Sequence, residues 1–397
     1  MGGRIEQAGE LRSARVESLR ALAALGVLAG HAVLVAAATE RTPDALVHRL
    51  VLGGLLGVFL FFALTGYLLY LPFVRGGVNL RRYALNRALR ILPLYWAVVA
   101  ILYAAKPSGA QAADWWRFAL FLQNYSADTI SRLDSPMWSL VVEVQFYLLL
   151  PLLALGLAAV ARGSLARAAA VVGLLALASF ALRLDRVLLG DEAVTSPIGR
   201  FALPTVFFFF TSGMLLALLR VHLDRTGRTA AGSPSAWIAA GAALWLVAAN
   251  EPTWEPVVWA ASFLTLGGCV LPLRGSAVLA RALEWRPLAA IGTASYSLYL
   301  WHLPVLLVLA GQSIAITAGG VQRFSGDPWP MAKLIVLGAA VSVAVAAVSY
   351  LVVERPFLRL RRRWAPRGRV EPWMTSPSST PPPRPSSSDA ATSPRPS

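Results

Sequence analysis

Arg20 and His31 stand eleven residues apart in an apolar stretch near the start of the chain. On a helix that spacing puts the two side chains within about 20° of one stripe and roughly 16 Å apart along the axis. An arginine at the mouth of a span can hold phosphate, and a neutral imidazole at depth can take a proton from an alcohol. The pair therefore suits a reaction between a phosphorylated donor and a buried hydroxyl. A snorkelling arginine above a histidine that ties two helices together has the same spacing. Titratable groups at membrane depth are costly and are weighed as functional candidates. His302 lies in a second apolar run, Glu143 and Glu354 lie within or at the edge of two others, and His48 and His222 fall between runs.

Glu143 follows Trp138, Ser139 and Leu140, with Tyr147 one turn further along the same face. Its carboxylate can pair with a cation, hold a proton, or accept a hydrogen bond from an acceptor hydroxyl; a structural tie to another helix is the plain alternative. Ser295, Tyr299 and His302 share a face at i, i+4 and i+7, which suits core packing around one satisfied histidine, and Pro304 is expected to bend that helix. Glu354 and Arg355 close the last run level with Arg20, where an ion pair between helices is expected. Arg75, Arg81, Arg82, Arg87 and Arg90 crowd the segment 72–90. They read either as a topology signal or as a landing site for phosphates. The chain has no Walker-type glycine loop, no His-Glu-x-x-His and no Gly-x-Ser-x-Gly. Cys269 is its only cysteine, which leaves no disulfide framework and no thiol metal cage; no metal site is expected.

The elements that must position these residues are membrane helices. The 397 residues are 57% hydrophobic and 14% charged, against about 25% charged in soluble domains, so a globular cytosolic enzyme is excluded. Apolar runs fall at 20–38, 51–71, 91–105, 138–160, 168–182, 201–219, 236–249, 257–272, 288–311 and 331–353. They predict an all-α, polytopic bundle of about ten transmembrane helices in the cell membrane. Of the 36 Lys and Arg, only Lys106 and Lys333 are lysine, and most of the 36 fall on one side of that layout, which puts both termini in the cytoplasm. Segment 106–136 would face outward, carrying Asp114, Asp128, Asp134 and a belt of aromatics. The division expected is a cytoplasmic segment 1–19, a membrane domain 20–354, and a basic, Pro- and Ser-rich disordered cytoplasmic tail 355–397. The net charge of +16 suits phosphorylated ligands and anionic lipid; nucleic-acid binding would need a polar basic face that the chain hardly has. The first run exceeds the apolar region of a signal peptide. A transporter or flippase of a lipid-linked glycan is the rival reading, and it would call for broken helices in two matching halves.

Ordered motifs complete the pattern. Val16 to Ala23, closing on His31, resembles the Leu-Asp-x-Leu-Arg start and the Arg-x10-His signature of the bacterial membrane acyltransferase-3 family. Gly57–Tyr67 resembles that family's Gly-Val-Asp-x-Phe-Phe-x-x-Ser-Gly element, with Phe59 for Asp and Thr65 for Ser. Asn86–Tyr95, Met137–Tyr147 (with Val144 for a second Glu), Ser295–Pro304 and Ser349–Phe357 are similar to its later motifs. The resemblance implies O-acyl transfer, usually of acetyl, from acyl-coenzyme A to a hydroxyl of a sugar, surface glycan, lipid-linked sugar or metabolite. It also implies that Arg20, Arg87 and Arg90 steady the coenzyme phosphates, that His31 is the general base, and that Glu143 serves the acceptor side. Ser139 and Tyr147 are the hydroxyls offered as oxyanion donors, with Tyr299, His302, Glu354 and Arg355 in support. Some members append an extracytoplasmic esterase-like domain, which is not expected here.

Overall fold

The computed structural model describes residues 2–37, 45–105, 112–126, 128–130, 132–185, 201–250, 255–311 and 331–364. Among these, every named element is a helix, and the one β contact is an isolated bridge between Ala230 and Leu273. The helices are α1 (Gly2–Ala37), α2 (Ala45–Leu52), α3 (Gly57–Arg75), α4 (Leu80–Ala104), the short α5 (Trp115–Ala119), α6 (Met137–Ala161), α7 (Leu165–Arg183) and α8 (Leu203–Thr226). They continue with α9 (Pro234–Asn250), α10 (Glu255–Val270), α11 (Val278–Ala282), α12 (Arg286–Thr293), α13 (Ser295–Leu309), α14 (Met331–Ser349) and α15 (Arg355–Trp364).

Seven of the helical stretches are long and apolar enough to cross a membrane, and the pair α12 and α13, bent by 76°, makes an eighth. The helices α9 and α10 are apolar but only 17 and 16 residues long, short of the roughly 20 that a hydrocarbon core needs. Each of the ten apolar runs falls on a helix, but length and composition support seven spans, or eight with the bent pair, rather than ten. Broken helices in two matching halves are not found: one bent pair occurs among the described residues.

Several boundaries differ from those read in the sequence. Residues 2–19 are not a separate segment; they run into α1 without a break. The arginines of segment 72–90 belong largely to α4, which starts eleven residues before the apolar run. Gly76, at φ 84°, closes α3, and the Asn79 side chain caps α4 by accepting from Arg82 N at 2.9 Å. Arginine is a good helix former, so helix continues where hydropathy fades. The same reasoning covers α15: Arg355–Trp364 is helical, not part of a disordered tail, while residues 365–397 lie outside the described set. His48 sits on α2 and His222 on α8, not between elements. The bend expected at Pro304 falls instead at Ala294, and α13 runs through Pro304.

That bend shapes the site. A Cβ on Gly292 would lie 1.8 Å from the Glu17 carbonyl oxygen, so only glycine brings α12 onto the backbone of α1 here. The chain then turns, and Ser295 opens α13 beside Arg20. On the other side, α3 and α8 touch backbone to backbone. A Cβ on Gly66 would lie 2.1 Å from Phe210 O, and one on Gly213 only 1.8 Å from Ala63 O. Close approach through small residues is how membrane helices gain packing where lipid offers no hydrophobic drive. Beside this seam Phe59 stacks on Phe209 at 3.8 Å and Phe62 on Phe210 at 4.6 Å. The position at which the resemblance expects Asp is thus an apolar stacking position.

Candidate active site

A pocket opens among α1, α3, α4, α6 and α13. Its wall brings together Arg20, Arg87, Arg90, Ser139, Glu143, Tyr147 and Tyr299, residues spread over 280 positions of sequence. The cationic side is built from α1 and α4. Arg20 donates from Nε to Ser295 Oγ at 3.2 Å and lies 3.8 Å from Glu17. Arg90 is bound to Glu354 at 2.5 Å, and the same carboxylate accepts from Ser297 Oγ at 3.0 Å. Tyr296 donates to Ile91 O at 2.8 Å, one residue along from Arg90, which pins α13 to α4. Arg87 lies over the Tyr147 ring at 5.8 Å, and its Nε is buried with no hydrogen-bond partner. A buried guanidinium N–H left unpaired is expensive, so a cleft anion is its natural partner.

On the α6 side of the pocket, Glu143 accepts from Thr65 Oγ1, with Tyr147 one turn further along the helix. Tyr147 is held in turn by Tyr83, which donates to its carbonyl at 2.9 Å. Further along α6, Ser139 Oγ is 2.7 Å from Tyr299 OH and 3.2 Å from Pro136 O, and Tyr299 OH is 3.0 Å from the same carbonyl. Two hydroxyl protons serve each other and one carbonyl, whichever way they point. The proton of Ser139, one of the two hydroxyls offered as oxyanion donors, is therefore engaged inside the protein.

His31 and His302 do not line this pocket. They sit beyond Tyr299, whose ring is 5.5 Å from that of His302 and 6.0 Å from that of Phe61. The two histidines touch, Nε2 of His302 lying 3.3 Å from Nδ1 of His31. Glu354 reaches the pocket only through Arg90, and Arg355 is exposed outside it. Just ahead of α6, Asp134 is buried with both carboxylate oxygens unpartnered, and burial pushes its carboxyl well above the usual range. No group of three His, Cys, Asp or Glu that could hold a metal occurs among the described residues.

Sequence reasoning missed two contributors. Thr65 figures there only as a departure from a motif, yet it holds Glu143, a role any β-hydroxyl at that place could fill. Ser295 figures only as a face-mate of Tyr299, and its meeting with Arg20 depends on a bend that the sequence places at Pro304.

Fold and pocket together define a multi-pass membrane protein built around a cleft lined by three arginines and one glutamate. The chain belongs to the acyltransferase-3 family, whose acyltransferase domain matches residues 13–353. It is 28% identical to YrhL of Bacillus subtilis, named as a peptidoglycan O-acetyltransferase, over 77% of this chain and 50% of that one. It is 27% identical to the exopolysaccharide production protein ExoZ of Rhizobium meliloti, over 78% and 91%. It is 24% identical to the peptidoglycan O-acetyltransferase OatA of Listeria monocytogenes, over 86% and 55%. The chain thus spans about half the length of YrhL and OatA. No solved structure matches.

Proposed function

We propose that the protein moves an acyl group, acetyl being the favoured one, from acyl-coenzyme A to a hydroxyl of a surface glycan or related sugar. The observation that carries this reading is the pocket itself, where Arg20 and the unpaired Arg87 Nε share one cleft with Glu143 and its hydroxyl partner Thr65. Support also comes from the family and from relatives named for O-acetylation of peptidoglycan.

In this mechanism Arg20 and Arg87 take the coenzyme phosphates at a cytoplasmic mouth, the side to which most of the cationic residues are assigned. Arg90, already bound to Glu354, braces the wall and adds positive potential. The acyl chain runs toward Tyr299. Glu143, oriented by Thr65, accepts a hydrogen bond from the acceptor sugar. His31 takes the hydroxyl proton as the oxygen attacks the thioester carbon, and the C–S bond breaks to release the coenzyme thiolate.

The test is mass spectrometry of surface glycans from cells with wild-type protein, with His31→Gln, and without the protein. The expected result is a mass increment of one acyl group in the first sample alone. Identical glycan masses in all three, with the wild type correctly inserted, would remove the glycan as acceptor.

A further inference from the structure

The contact between His31 and His302 fixes where protons sit. The rings meet edge-on, centroids 5.0 Å apart at 61°. Each ring also reaches a carbonyl of its own helix: His31 Nδ1 lies 2.9 Å from Val27 O, and His302 Nδ1 lies 2.6 Å from Tyr299 O. A carbonyl oxygen only accepts, so both Nδ1 atoms carry hydrogen. Neutral His302 then presents a bare Nε2, and that lone pair faces the His31 Nδ1–H at 3.3 Å, which it shares with Val27 O. The same bonding leaves the lone pair of His31 on Nε2, the nitrogen turned away from both acceptors.

We infer that His302 is a positioning residue for His31, a second acceptor beside the Val27 carbonyl that holds the ring with Nε2 as the basic nitrogen and takes a stronger hydrogen bond from Nδ1–H when the ring gains charge. Which imidazole nitrogen is basic is set by the bond that the other one makes. The inference rests on the reading of His31 as the base. In the transfer, the acceptor hydroxyl gives its proton to His31 Nε2. The acceptor oxygen forms the ester C–O bond as the thioester C–S bond breaks, and the imidazolium returns the proton to the thiolate. During that interval Nδ1–H is more acidic and its bonds to Val27 O and His302 Nε2 strengthen. Close packing alone accounts for His302 being 1% exposed. It gives no reason for a bare nitrogen at the one atom that meets His31.

Diethyl pyrocarbonate attacks an unprotonated imidazole nitrogen, so it reads this lone pair without an acceptor substrate. The experiment uses the full chain in lipid nanodiscs at pH 7, with the rate at His31 taken by peptide mass spectrometry relative to exposed His222 in the same molecule. His302→Gln offers an amide oxygen to the Nδ1–H; His302→Leu and His302→Phe fill the space without an acceptor. The expected rate at His31 falls about tenfold in the Leu and Phe variants and stays within about threefold of wild type in the Gln variant. A wild-type rate in either apolar variant overturns the inference, and so does an equal loss in all three. Acyl transfer by His31→Gln is measured alongside. Wild-type turnover there, with the His302 effect on carbethoxylation intact, removes the base assignment and leaves the positioning role standing.

Discussion

Arg90 and Glu354 form an ion pair at 2.5 Å in which the carboxylate is 2% exposed. The pair joins α4 to the end of the last span and separates two jobs that charge counting assigns to one arginine cluster. Arg90 is already paired with a carboxylate, while the Nε of Arg87, three residues away, is buried with no hydrogen-bond partner.

Removing one member of a buried pair leaves the other charged and alone, at a cost of about 3–5 kcal/mol. Arg90→Gln should therefore lower the melting temperature in detergent strongly, and the double variant Arg90→Gln with Glu354→Gln should recover most of the loss. Arg87→Gln should unfold near the wild-type temperature but raise KM for acyl-coenzyme A, more so as salt increases. The division of labour is wrong if the two single variants behave alike in both measurements.

Thr65 is tested by keeping shape and removing the donor. Thr65→Val deletes the hydrogen bond to Glu143, and Thr65→Ser retains it. Loss of this one hydrogen bond corresponds to a fall in turnover of about tenfold, with Ser within about twofold of wild type. Equal activity in Val and Ser would mean that the Glu143 side chain is held well enough without the Thr65 hydroxyl.

Part of the pocket was legible because carboxylates are rare inside apolar runs, so Glu143 stands out by type, and Arg20 and Arg87 by their place at the ends of such runs. Their assembly was not. The turn at Ala294 follows from Gly292 meeting the Glu17 backbone, a contact between residues 275 positions apart that no local pattern encodes, whereas Pro304 is a local signal and misled. The start of α4 was misplaced for a related reason: hydropathy marks where lipid begins, and an Asn-capped, arginine-rich helix extends beyond it. His302 looked like packing because a single helix face cannot show that α1 brings a second histidine against it.

Asp134 lies outside the spans and gives a pH signature. Burial holds its carboxyl well above the usual range, so the folded chain keeps a proton that the unfolded chain releases near about pH 4. The contribution to stability is complete below that pH and is lost as pH rises through the raised value. Asp134→Asn keeps the shape without titrating. Wild-type melting temperatures should fall relative to the variant as pH rises above about 4, and the two curves should converge below that pH. Parallel curves would show that Asp134 is charged in the folded state.

His31 carries the chemical prediction. It shares a stripe with Arg20 on α1, it presents Nε2 as the nitrogen free of its helix carbonyl, and its other nitrogen is held by Val27 O and His302. A general base contributes typically 10²–10⁴-fold, so His31→Ala should lower turnover by about that factor while the protein still inserts and binds acyl-coenzyme A through Arg20 and Arg87. His31→Gln keeps size and hydrogen bonding but cannot take a proton at neutral pH, and it should be nearly as inactive. Purely structural loss predicts the opposite order, with Gln close to wild type and Ala impaired in expression and melting temperature. If His31→Gln retains more than about half the activity, Glu143 is the next base to test, since it is the carboxylate that lines the pocket.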